Sequence, residues 1–117
     1  MNVIIRKDKA KAYRWGIDCH SYLMHESVGI SVKLETIPVK RSEKLHIHHH
    51  ITQIFYILKG SANLVIDSKS FMLKPHECIA IFPGQQHLIR NTGEKELEFL
   101  LISQPPVHDD RKDLVDL

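Results

Sequence analysis

Two histidines one residue apart, His46 and His48, are followed by Gln53 and, in a separate cluster, by His87; these are the residues of this 117-residue chain whose types and spacing could do chemistry. On an extended strand alternate side chains share a face, so the imidazoles of His46 and His48 project together, roughly 6–7 Å apart along the backbone. That spacing lets two ring nitrogens converge on one ion. Three neutral imidazoles and an amide oxygen suit one divalent transition metal ion (Zn, Fe, Ni, Cu or Mn), with one or two coordination positions left for water or a ligand. A glutamate at position 53 would lower the charge of such a site by one and could accept a proton. Gln53 does neither, which weakens the expected affinity for a hard dication and moves any general-base duty elsewhere. His50 shares the strand parity of His46 and His48 and is the candidate for that duty, provided the strand runs so far.

The elements that position these residues are legible from parity and turn chemistry. Gln53 lies five residues after His48, an odd offset that an unbroken strand would turn to the opposite face. The chain must therefore turn or bulge between His49 and Thr52. Gln53 then opens a second strand, whose apolar run over residues 54–58 stops at Lys59-Gly60. Pro83-Gly84 marks a further turn, after which His87 enters a strand ending near Asn91. Asn91 reads as a hydrogen-bonding strand residue, and Gly60 and Gly84 as turn residues with permissive backbone. His49 points away from the ion by parity, and His20, His25, His76 and His108 show no spacing that recruits them. Phe55 and Tyr56 fall on opposite faces, and both read as core fillers.

Strands continue on either side. Over residues 28–36, Val28, Ile30, Val32 and Leu34 alternate with Gly29, Ser31, Lys33 and Glu35, the period of a half-buried strand. Residues 61–73 read as a hairpin turning at Asp67-Ser68-Lys69, residues 74–77 as a turn, and residues 79–82, 87–90 and 97–102 as further strands. Many short strands at regular spacing indicate an all-β sandwich or barrel.

Composition bounds the partners. The length and a 43% hydrophobic content suit one domain with one core. Sixteen basic and fourteen acidic residues are mostly interspersed, and the basic stretches 6–11 and 40–44 read as solvated segments, so no nucleic-acid partner is expected. No apolar segment reaches membrane-spanning length and no secretory h-region opens the chain, which makes a cytoplasmic location the default expectation. Cys19 and Cys78 suit a reducing compartment, with Cys78 read as a packed core thiol.

The two clusters resemble the two signature motifs of the cupin superfamily. The first motif has two histidines one residue apart, a glutamate five residues after the second and a glycine seven further on; here these are His46, His48, Gln53 and Gly60. In the second, Gly84, His87 and Asn91 match, with the proline displaced by one to Pro83. The tail SQPPVHDDR is similar to that of small single-domain cupins, some of which carry glutamine where most carry glutamate. The resemblance implies one domain over residues 1–117, folded as a double-stranded β-helix, or jelly roll. In that layout an N-terminal arm covers about 1–27, the motifs cover 46–60 and 82–91, and a C-terminal tail covers 104–117. It implies metal ligation by His46, His48, Gln53 and His87, and a homodimer in which residues 2–5 pair with another subunit while residues 13–17 pack across the interface or over the barrel. The implied functions are a metal-dependent enzyme acting on a small organic molecule in the barrel mouth, of oxygenase, isomerase or lyase type, or a non-catalytic cupin binding a small ligand or a metal.

Overall fold

The computed structural model describes residues 1–107 and 110–114. After a 3-10 turn at Lys7–Lys9, the described residues run through eleven strands. They are β1 (Lys11–Trp15), β2 (Cys19–Ser27), β3 (Ile30–Ile37), β4 (His46–His48), β5 (Thr52–Lys59), β6 (Ala62–Ile66), β7 (Lys69–Leu73), β8 (Cys78–Ile81), β9 (His87–Asn91), β10 (Leu97–Gln104) and β11 (Arg111–Asp113). All the pairings are antiparallel and form two sheets, of order β1-β2-β3-β10-β5-β8 and β11-β4-β9-β6-β7. The sheets face one another as a jelly roll, the all-β double-stranded β-helix that the sequence resemblance implies.

Between the sheets the core gathers Phe55, Ile57, Leu64, Ile81, Ile89, Leu97 and Phe99. The Phe55 and Phe99 rings lie 5.5 Å apart on neighbouring strands of the larger sheet. Taking each such side chain out of water is worth roughly 1.5–3 kcal/mol.

Four local expectations need correction. Residues 11–27, read as part of an arm, form β1 and β2. A register shift between Leu23 and His25 breaks the two-residue period by which β2 would have been recognised. The half-buried strand begins at Ile30, since Val28 and Gly29 make the turn into it, and its polar set does not face water: Ser31 and Glu35 are buried. Cys78 is exposed because β8 is the outer strand of its sheet, and Cys19 is the buried thiol. The C-terminal segment is not all tail, because β11 pairs with β4. Residues 2–5 form no strand within the chain and are exposed, while Trp15 packs against the core and Tyr13 and Ile17 remain exposed.

Candidate metal centre

The smaller sheet assembles the histidines. In β4 the burial pattern alternates, so His46 and His48 turn inward on either side of Ile47. His46 stands directly opposite His87 of β9. The ring centroids of His46 and His87 are 4.2 Å apart, those of His46 and His48 5.1 Å, and those of His48 and His87 5.6 Å. One nitrogen from each ring lies within 4.8 Å of the other two. All three residues are 3% exposed or less.

The break foreseen after His48 is present: residues 49 and 50 form a bend, and β5 begins at Thr52 in the other sheet. That crossing carries Gln53 to the opposite wall, where it faces back toward the histidines. Its Oε1 lies 3.2 Å from His87 Nε2, and its Nε2 donates to Ser103 Oγ at 3.1 Å. The turn of the second cluster is tied to the first, since Gly84 donates its N–H to the carbonyl of His48 at 2.7 Å. Gly84 has φ +86°, in the left-handed region that glycine enters without penalty.

Hydrogen bonds settle which ring nitrogens carry protons. His46 Nδ1 is 2.8 Å from the carbonyl of Lys44, and His87 Nδ1 is 3.0 Å from the carbonyl of Gln85. A carbonyl only accepts, so both Nδ1 atoms are protonated and both Nε2 atoms of the neutral rings keep a lone pair. His87 Nε2 and Gln53 Oε1 therefore present lone pairs to one another. Two ligands at right angles around an ion, each about 2.1 Å from it, stand about 3 Å apart. His48 Nδ1 is buried with no hydrogen-bond partner among the described residues, another atom left in want of one. Three clustered imidazoles with unprotonated nitrogens, and a carbonyl oxygen beside them, fit a metal ion.

Electrostatics agree. Burial, followed by the positive charge that His87 would carry, pushes His46 down to about 3. The same two causes push His48 down to about 4. Burial likewise lowers His87. At neutral pH all three rings are uncharged, the state a metal ligand requires.

His46, His48 and Gln53 open on a cavity of about 750 Å³, lined also by Glu35, Glu43, Phe55, Leu101 and Arg111. The two glutamates are the site residues that sequence reading missed. Glu43 lies in a loop without periodicity, and Glu35 sat in an alternation that read as solvent-facing. Glu43 Oε1 accepts the N–H of Ile89 at 3.1 Å, and Oε2 lies 3.8 Å from Arg111. Burial, against the pull of Arg111, pushes Glu43 up to about 8. Glu35 accepts a short hydrogen bond from Ser21 Oγ, and burial raises it above the usual carboxylate range.

The remaining candidates stay out of the site. His50 is exposed beyond the end of β4, its backbone N–H donating to Asp110 Oδ2 at 2.8 Å, so it is not placed to act as a base in the cavity. His49 is exposed beside it, and His108 lies outside the described residues. Asn91 is a strand and turn fastener: its Nδ2 donates to the carbonyls of Ile37 and Lys95, and its Oδ1 accepts from Gly93. Phe55 is core, whereas the Tyr56 hydroxyl stands 3.2 Å from His76 Nδ1 on the outer face.

Comparison with known proteins decides the family. The model of the cupin domain matches residues 33–103, which span β3 to β10 and include both histidine clusters. The chain belongs to the cupin family. This cupin is 33% identical over 93 residues to an uncharacterized protein of Methanocaldococcus jannaschii, covering 75% of this chain and 74% of that one. It is 30% identical over 79 residues to a Thermotoga maritima protein named oxalate-binding protein, covering 68% and 64% of the two chains. Among solved structures, a Thermotoga maritima protein described as a predicted oxalate decarboxylase superposes with a TM-score of 0.81 at 21% identity, covering 89% of this cupin and all of that chain. KdgF from Halomonas sp. superposes at 0.84 with 11% identity, covering 93% and 98%. At such identities the two structures establish the fold alone. Among the described residues of this cupin, no helix is long and apolar enough to cross a membrane.

Proposed function

We propose that this cupin holds one divalent transition metal ion on His46, His48, His87 and the amide oxygen of Gln53, and acts through it on a small organic anion in the cavity. The observation that carries the reading is the pair of lone pairs on His87 Nε2 and Gln53 Oε1, facing one another at 3.2 Å in a buried, uncharged histidine cluster. A bound dication supplies a Lewis acid that polarises a ligand oxygen at an open coordination position. Four neutral ligands leave the full double charge of the ion, so the favoured occupant of that position is an anion. Gln53 adds a device that glutamate lacks. With its amide turned over, Gln53 would donate to His87 Nε2 and accept from Ser103, which satisfies the cluster without metal.

The reading describes a metal-dependent enzyme of oxygenase, isomerase or lyase type. A second reading, a non-catalytic binder of a small organic acid, is favoured by the name of the Thermotoga maritima relative. The free thiols Cys19 and Cys78 support a reducing, cytoplasmic location, and the exposed Val3, Ile4 and Ile5, together with the outer position of β1 in its sheet, support a homodimer.

Elemental analysis of untagged protein tests the site. About one ion per chain is expected, falling to none in His46→Ala/His48→Ala with the β-sheet circular dichroism retained. An unchanged metal content in that double variant overturns the assignment. Oxalate offered to the metal-loaded protein then separates the two functions: product formation marks an enzyme, and stoichiometric binding without turnover marks a binder.

A further inference from the structure

The cavity holds two buried glutamates in different situations. Both oxygens of Glu43 are engaged, one by the Ile89 N–H and the other beside Arg111. Glu35 is engaged on one oxygen only. It sits in β3, opposite Ser21 of β2 and Phe99 of β10, and lines the same cavity as His46, His48 and Gln53. Trp15 donates its indole N–H to one of the two lone pairs of Ser21 Oγ at 3.0 Å, and that hydroxyl donates its proton to Glu35 Oε2. Among the described residues nothing donates to Glu35 Oε1.

We propose that Glu35 is a second ligand anchor: a carboxylic acid whose free oxygen carries its proton into the cavity and donates it in a hydrogen bond to an oxygen of an organic anion held at the histidine end. The ligand class is a small acid with two separated oxygen functions, a carboxylate for the ion and a carboxylate or carbonyl oxygen for Glu35. The inference rests on the metal-site reading above.

The wall supports the protonated form. Glu35 is 6% exposed, and burial outweighs its hydrogen bond from Ser21 and the charges of Lys33 and Arg111. A charge on Glu35 would in turn raise the thiol of Cys19 and the carboxyl of Glu43. Phe99 adds no charge from the strand on its other side. The cost of an ionised carboxylate here is avoided by keeping the proton. A neutral acid can donate to an incoming anion, whereas a carboxylate would repel it.

The test uses metal-loaded protein and the straight-chain dicarboxylates from oxalate to glutarate as probes, with affinity measured by calorimetry across pH and metal content measured in every sample. Wild type should bind one chain length best and lose affinity as pH rises through the raised Glu35 pKa. Glu35→Gln keeps an N–H donor and cannot ionise, so it should bind within about twofold of wild type and lack that alkaline decline. Glu35→Leu keeps the volume and removes the donor, and should bind at least about tenfold more weakly. Unchanged affinity in Glu35→Leu, or an alkaline decline shared equally by wild type and Glu35→Gln, overturns the proposal. Failure of the metal site itself is read separately: there, metal content falls and binding is lost in all three proteins alike. Should Glu35→Leu not fold, the difference in pH profile between wild type and Glu35→Gln decides alone.

Discussion

The two sheets bury polar groups against the same cavity and leave them with opposite needs. The five-stranded sheet contributes three uncharged rings with unprotonated nitrogens, and so lacks a positive centre. The six-stranded sheet contributes Gln53, Ser103, Ser21 and Glu35 in hydrogen-bonded pairs, each of Gln53 and Glu35 keeping one oxygen outside its pair. Burial alone therefore does not mark a binding site. What distinguishes the two walls is whether neighbouring atoms satisfy one another, and that is fixed by donor and acceptor identity.

The contrast can be broken most forcefully at His87. His87→Ala should lower metal affinity more than about 100-fold, measured by competition with a chromophoric chelator, while the barrel stays folded. Affinity within tenfold of wild type would mean that the wall of rings needs no ion. The carboxylate side has its own signature in Glu43. Its folded-state pKa is raised above the ordinary 4.5 to about 8, so its contribution to stability is complete below pH 4.5 and is lost as pH rises through about 8. Chemical denaturation of metal-free protein should show that decline, on the order of a few kcal/mol, and Glu43→Gln should remove it. The histidines act in the reverse sense: their lowered values make metal-free protein lose stability as pH falls below 6.5 toward about 4 for His48 and about 3 for His46.

Ser103 stands beside Gln53 on the six-stranded wall and holds the Gln53 amide. Ser103→Ala should weaken metal binding by about 10- to 100-fold, the usual cost of losing a group that orients a ligand. The smallest effect is expected at Trp15. Trp15→Phe keeps the packing but removes the N–H bond to Ser21, and should cost about 1 kcal/mol in thermal unfolding with metal content unchanged.

Much of the ring wall was legible in the chain, and much of the carboxylate wall was not. His46 and His48 share parity, and the odd offset to Gln53 demanded the bend that residues 49–50 supply. Such arguments work because strand geometry is local. Glu35 could not be read this way: alternation separates the two faces of a strand without saying which is inside, and that is decided by the partners β2 and β10. The exposure of Cys78 likewise depends on β8 having no outer neighbour among the described residues, a property of sheet order. The short, charged β11 carries no periodic signal at all, since its three residues are all exposed.

That short strand gives β4 an unusual status. Among the described residues, β4 joins β9 through one register pair, His46 with His87, and pairs on its other side with the three residues of β11. The backbone ladder thus leaves the strand bearing two of the three rings among the least secured in the barrel. An ion shared by His46 and His87 would act as a rivet across the seam that the ladder leaves open. Amide hydrogens of β4 and β11 should then exchange quickly in metal-free protein and slow markedly on loading, while those of β3, β5 and β10 keep their rates. On this view, opening and closing of the seam sets how fast the ion enters and leaves.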